Sequence, residues 1–149
     1  MIDIRPAGAQ AASILAEIHG QGFEAPWSTQ EIEALMEGLG AFALVATIQD
    51  VLAGFVLCRI AADEAEVLTI ATRPSLRRRG VGAALLDAAI ATAIARGAVA
   101  LFLEVAVNNL AALALYGARG FRQVGLRPHY YAQAGGDVAA LIMRLDLNR

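Results

Sequence analysis

The sequence predicts an α/β domain, a mixed central sheet of about seven strands flanked by about four helices. Three observations predict it. Apolar residues recur at helical spacing in some segments and form strand-like runs in others, in the order β, α, α, β, β, β, α, β, α, β, β. The chain has 149 residues, with no linker, repeat or low-complexity tract, so residues 1–149 are read as one domain. Its apolar fraction of 58% exceeds the usual ~45–50%, enough for one substantial core even though Ala and Gly inflate it.

Ile2 to Arg5 reads as a short strand that Pro6 to Gly8 would end. Ala9 to Gly20 carries Ile14, Leu15 and Ile18 at helical spacing, with Gly20 as the expected C-cap. Ser28 followed by Glu31 has capping-box spacing for a second helix, with Ile32, Leu35, Met36 and Leu39 on one face. Phe42 to Ile48 and Leu52 to Ile60 are apolar runs on either side of Gln49-Asp50, the pattern of a hairpin. Ala61 to Ala65 turns the chain into a third strand, Glu66 to Thr72, which Pro74 stops.

Gly80 to Arg96 is the longest predicted helix, with Leu86, Ala89, Ile90, Ala93 and Ile94 at spacings of three and four and Gly97 as its cap. Val99 to Val107 is an almost unbroken apolar run, as expected of a strand buried on both faces. Asn108 can cap a short helix ending near Gly120, and Phe121 to Leu126 and Ala139 to Leu147 complete the sheet.

The charge balance is close to neutral, formally −2, which gives no global attraction to nucleic acid or an anionic membrane. Any anion site must therefore be local. The single cysteine, Cys58, allows no intrachain disulfide and lies in an apolar strand, where an inert core thiol is expected rather than a nucleophile. Met1 to Pro6 lacks the pattern of a signal peptide, and no apolar run is long enough to span a membrane, so the expected location is the cytoplasm. His19 and His129 are too few for a metal site, and none is expected.

The local anion site is Arg77-Arg78-Arg79-Gly80-Val81-Gly82-Ala83, where a strand gives way to the longest helix. A helix N-terminus offers free N–H groups and partial positive charge, and three arginines add side-chain donors for phosphate oxygens. Gly80 and Gly82 allow close approach of the backbone, so a pyrophosphate with a further ribose phosphate would suit the loop. A P-loop is excluded because Ala83 and Ala84 follow Gly82, and a dinucleotide fingerprint because position 85 is leucine. A solvated basic turn is the alternative.

Glu104 interrupts the apolar run with Phe102 and Ala106 on its face and Leu103 and Val105 opposite. A buried carboxylate without partners is costly and its pKa rises, which would suit a general base near neutral pH. The alternatives are a glutamate at an open end of the strand or one paired with an arginine. Asn109 and Tyr116 lie seven residues apart on the next predicted helix and so on one face. Tyr116 could donate a proton to a leaving group, or simply be a core aromatic satisfied at its edge.

In this order these features resemble the GNAT N-acetyltransferases, whose Gln/Arg-x-x-Gly-x-Gly/Ala loop is matched by Arg77, Gly80 and Gly82. Pro26-Trp27-Ser28, Ile70-Ala71, Leu103-Glu104-Val105, Ala114-Leu115-Tyr116, Gly120-Phe121 and Tyr130-Tyr131 extend the resemblance from Phe23 to Met143, toward the branch acting on a ribosomal-protein N-terminus. The resemblance implies a mostly antiparallel sheet and acetyl-CoA as cosubstrate. It implies that Ile70, Ala71 and Thr72 pair with the pantetheine arm, that Arg77, Arg78, Arg79, Gly80, Val81, Gly82 and Ala83 hold the pyrophosphate, and that Asn109 contacts the cofactor. Glu104 would be the general base, direct or through water, and Tyr116 the general acid, with no metal and no acyl-enzyme.

Trp27, Tyr130 and Tyr131 would border an acceptor that is a protein or peptide N-terminus, a ribosomal protein among the candidates. The chain departs from that branch at Arg73, Ala106, Asn108-Asn109 and Val138-Ala139, some of which border the acceptor groove. Other readings are a GNAT enzyme for a small amine and a non-catalytic CoA-binding module, the latter disfavoured because both Glu104 and Tyr116 are present. A monomer or weak dimer is expected.

Overall fold

The computed structural model describes the backbone of residues 1–131 and 136–147, and the side chains of these except 129–131. Its strands are β1 (Ile2–Ala7), β2 (Ala41–Ile48), β3 (Val51–Ala61), β4 (Glu64–Thr72), β5 (Ala100–Ala106), β6 (Arg122–Tyr131) and β7 (Val138–Asp146). Its helices are α1 (Ala12–Gly22), α2 (Thr29–Met36), α3 (Val81–Ala95) and α4 (Leu110–Ala118), with single 3-10 turns at Ala9–Ala11 and Pro74–Leu76. The strands form one sheet in the order β1-β2-β3-β4-β5-β7-β6, antiparallel throughout except for β4 against β5. This is the mixed α/β architecture with a mostly antiparallel sheet that the resemblance implies.

Two apolar layers sandwich the sheet. On one face α3 contributes Val81, Leu85, Leu86, Ala89 and Ala93, and α4 contributes Tyr116, against Val56, Val67, Leu101, Leu103 and Val105 of the strands. On the other, Leu15 and Ile18 of α1 and Ile32 of α2 cover Ala43, Phe55, Leu57 and Ala71. The capping box at Ser28 and Glu31 forms with both hydrogen bonds present, at 3.0 and 2.8 Å. Gln49 and Asp50 both adopt positive φ, as a two-residue hairpin turn requires.

Several expectations are corrected. Pro6 does not end β1, which continues to Ala7; β1 is an edge strand, where every second nitrogen faces away from the sheet and proline can be accommodated. Pro128 sits likewise within β6, at the opposite edge, so that strand runs past its expected end at Leu126 to Tyr131. Gly20 is not a C-cap. The helix runs on to Gly22 and ends at Phe23, one turn past His19, whose ring stacks on that of Phe23 at 4.0 Å. Leu39 lies beyond the end of α2 and is 98% exposed, so it does not extend the apolar face. The N-cap of α4 is Asn109, not Asn108, with Oδ1 accepting from the Ala112 amide at 3.2 Å.

β5 is not buried on both faces. Leu101, Leu103 and Val105 are buried toward α3 and α4, whereas Phe102, Glu104 and Ala106 are half-buried toward the opposite face. The alternation is hidden in the sequence because Phe102 and Ala106 are themselves apolar.

Candidate active site

The site begins with a failure of strand pairing. β4 and β5 pair from Glu64 with Ala100 to Glu66 with Phe102, and beyond that rung each takes register partners only from its outer neighbour. Ile70, Ala71 and Thr72 pair with Val56, Phe55 and Gly54 of β3, while Glu104, Val105 and Ala106 pair with β7. The sheet therefore splits into a slit whose inner edges carry backbone groups without a strand partner, a template for an extended amide-bearing ligand. Gly54 permits this shape: a Cβ there would stand 2.5 Å from the Ala71 carbonyl oxygen and 3.2 Å from Thr72 Cα.

The N-terminus of α3 directly follows β4 and its 3-10 turn. Arg78 (φ 65°) and Gly80 (φ 83°) both adopt the left-handed conformation, and glycine bears that strain least. The first helical return bond is Ala84 N–H to Gly80 O, so the amides of Val81, Gly82 and Ala83 remain available to a ligand. Arg77, Arg78 and Arg79 are exposed and form no ion pair with a carboxylate among the described residues. Arg77 departs slightly from the expected cluster: a Cβ on Gly22 would lie 3.3 Å from its Nη2, so its guanidinium reaches toward the end of α1. Together these groups fit a polyanion such as the diphosphate of acetyl-CoA.

Glu104 projects from β5 toward the α1 and α2 side, into a cavity of about 310 Å³ lined also by Arg59, Glu64, Glu66, Phe102 and Arg127. It is not a lone carboxylate among apolar neighbours. Arg127 Nε lies 2.9 Å from its Oε2, with 17% of the Glu104 side chain exposed. Arg127 is the arginine partner that the sequence left open. Arg59 and Glu66 form a second pair at 3.2 Å on the same wall.

Tyr116 belongs to the other face. It is buried, packed at 5.7 Å against the Phe121 ring, and burial pushes its phenol up to about 12. Glu104 and Tyr116 thus flank the split sheet from opposite sides. Asn109 spends Oδ1 on its helix cap, which leaves its Nδ2 amide to meet a ligand. Cys58 is fully buried with its thiol raised to about 12 by burial, an inert core residue as expected.

Trp27 is not in the Glu104 cavity but in a separate hollow with Glu31, Ala34 and Leu35 of α2. Its backbone N–H donates to His19 Nδ1 at 3.1 Å, and its ring stacks on the imidazole at 4.9 Å. Neither His19 nor Arg127 was singled out as functional in the sequence. An isolated histidine and an edge-strand arginine carry no spacing signal. The side chains of Tyr130 and Tyr131 lie outside the described residues.

The acetyltransferase (GNAT) family pattern matches residues 12–121. The chain is 37% identical over 123 residues to a ribosomal protein bS18-alanine N-acetyltransferase of Salmonella typhimurium, spanning 83% of this chain and 82% of that protein. Among solved structures, the ribosomal-protein-S18-alanine N-acetyltransferase of Escherichia coli superposes with a TM-score of 0.94 at 30% identity, covering 100% of this chain and 96% of that one. Arabidopsis thaliana NAA60, solved in complex with acetyl-CoA, shares the fold with a TM-score of 0.85 at 20% identity, covering 100% of both chains.

Proposed function

The chain belongs to the GNAT family and is an acetyl-CoA-dependent N-acetyltransferase, and we propose that its acceptor is the α-amine of a protein N-terminus, a ribosomal protein among the candidates. The observation that carries the mechanism is the split sheet with Glu104 on one face and Tyr116 on the other. The thioester would lie in the slit, with its pantetheine amides against Ile70, Ala71 and Thr72. Arg77, Arg78 and Arg79 with the amides of Val81, Gly82 and Ala83 would hold the phosphates, and the Asn109 amide would contact the same cosubstrate.

The acceptor would enter from the α1 and α2 side, past Trp27, Tyr130 and Tyr131. Glu104, directly or through one water, takes a proton from the ammonium, and the neutral amine attacks the thioester carbonyl. The tetrahedral intermediate then collapses, the C–S bond breaks, Tyr116 gives its hydroxyl proton to the departing sulfur, and the proton that the nitrogen sheds on becoming an amide restores the phenol through solvent. At pKa about 12 the phenol keeps its proton throughout the working range.

The α-amine fits a single carboxylate base. With a pKa of ~7.7–8.0 it is already roughly a tenth neutral at pH ~7, whereas a lysine at ~10.4 is far below one per cent. The similarity to enzymes named as N-acetyltransferases of an alanine in a ribosomal protein supports the same choice. An acceptor screen tests it: purified protein, acetyl-CoA, peptides with different N-terminal residues, and a panel of polyamines and amino acids. Peptides with a free α-amine should be acetylated there and lose all reaction when that amine is blocked. Faster turnover of the small amines, with none on peptides, would overturn it.

A further inference from the structure

We infer that Arg127 is a positioning residue for the reaction, acting through Glu104, an inference that rests on Glu104 being the base. Arg127 stands on the outermost strand β6, opposite Ala140 of β7, which in turn faces Ala106 of β5. A side chain on that strand must cross β7 to reach Glu104, and strands lie about 4.8 Å apart. Arginine is long enough to make the crossing diagonally, from the rung that carries the methyl groups of Ala140 and Ala106 to the one where Ile142 faces Glu104. The crossing ends in a 2.9 Å contact between Nε and Oε2 on a glutamate that is 17% exposed, while 54% of the Arg127 side chain remains exposed.

With more than half of the arginine in solvent, the pair has little to contribute to stability, because solvent screens it and two long side chains lose freedom. Its effect falls on the carboxylate: a guanidinium fork approaching one oxygen fixes the χ angles of Glu104 and therefore the direction in which the base meets the ammonium. Catalytic geometry held by a supporting partner is sensitive to that partner, and a displacement of about 1 Å costs rate by as much as a hundredfold.

A double-mutant cycle on the full chain tests this, with kcat and both KM values measured on one peptide acceptor. Arg127→Met keeps the apolar stem and should lower kcat roughly ten- to hundredfold with acetyl-CoA KM and the thermal melt unchanged. Arg127→Lys, which keeps the cation, should recover much of the loss. In the Glu104→Gln background, Arg127→Met should cost no more than about twofold further, because residues that act as one unit are not additive. Additive losses, or a loss confined to peptide KM, would mean that Arg127 serves the acceptor independently and would overturn the inference. Should Arg127→Met not fold, the same cycle is closed with Arg127→Gln, which also removes the cation, and read by the same additivity. Wild-type turnover by Glu104→Gln alone would instead overturn the assignment of the base, a separable result.

Discussion

His19 Nδ1 accepts the backbone N–H of Trp27 at 3.1 Å while its ring lies between those of Phe23 and Trp27, at 4.0 and 4.9 Å. The histidine thereby ties the end of α1 to the segment that leads into α2. Only the neutral ring can accept that bond at Nδ1. Burial lowers the pKa of His19 from its ordinary 6.5, against a smaller raising effect of Glu31.

The sign follows from linkage. Below 6.5 the unfolded chain takes a proton that the folded chain resists, so stability is full above that pH and declines as pH falls toward the lowered folded value. Thermal melts from about pH 8 to about 5.5 should show this decline in the wild type. His19→Asn keeps an acceptor at the δ position but cannot titrate. It should melt lower at pH ~8, having lost the ring stack, yet show a shallower decline. A parallel decline in both proteins would remove His19 as the source.

Gly54 should not tolerate a methyl group. A Cβ there would meet the Ala71 carbonyl oxygen at 2.5 Å and Val81 Cγ1 at 3.1 Å, so β3 and β4 or the start of α3 must move. Gly54→Ala should cost about 1–3 kcal/mol of stability and weaken acetyl-CoA binding, because the displaced strand edge is that of the slit. Chemical denaturation with a parallel acetyl-CoA titration checks both effects.

The arginine loop should bind only in the native fold. Acetyl-CoA at a hundredfold excess over Kd should raise stability by about 2.7 kcal/mol. Replacing Arg77 and Arg79 by alanine should weaken affinity more than tenfold, since charged hydrogen bonds to phosphate contribute roughly 1.5–3 kcal/mol each. Turnover at saturating acetyl-CoA should change less. Isothermal titration and steady-state kinetics separate the two, and a variant with normal acetyl-CoA KM but little turnover contradicts this division.

Glu104 and Tyr116 should respond oppositely to pH. Glu104→Gln should lower the rate by about 10²–10⁴ near neutrality and recover in part at high pH, where the amine needs no base. Tyr116→Phe should lower kcat without weakening acetyl-CoA binding, and alkaline conditions should not rescue it. The wild-type phenol, at about 12, stays protonated over the same range. Rate profiles for both variants on one peptide decide it, and wild-type turnover in both would remove the pair from the chemistry.

The sequence by itself determined whatever depends on neighbours along the chain. The capping box at Ser28 and Glu31, the Gln49-Asp50 turn, the helix that opens at Gly80 and the order of strands are local patterns, and local hydrogen bonding realises them. The GNAT resemblance was legible for the same reason, because a helix N-terminus with glycines and arginines is a contiguous binding element.

Tertiary structure decided what depends on residues far apart. The place where β4 and β5 part, the ion pair between Glu104 and Arg127, and the seat of Trp27 on His19 are settled by sheet order and by which faces α1 and α3 cover. Pro6 and Pro128 show the same limit: proline reads as a strand breaker until the strand is known to lie at an edge. A charge in an apolar strand shows in the sequence; the partner that neutralises it is found only when a strand 23 positions away folds beside it.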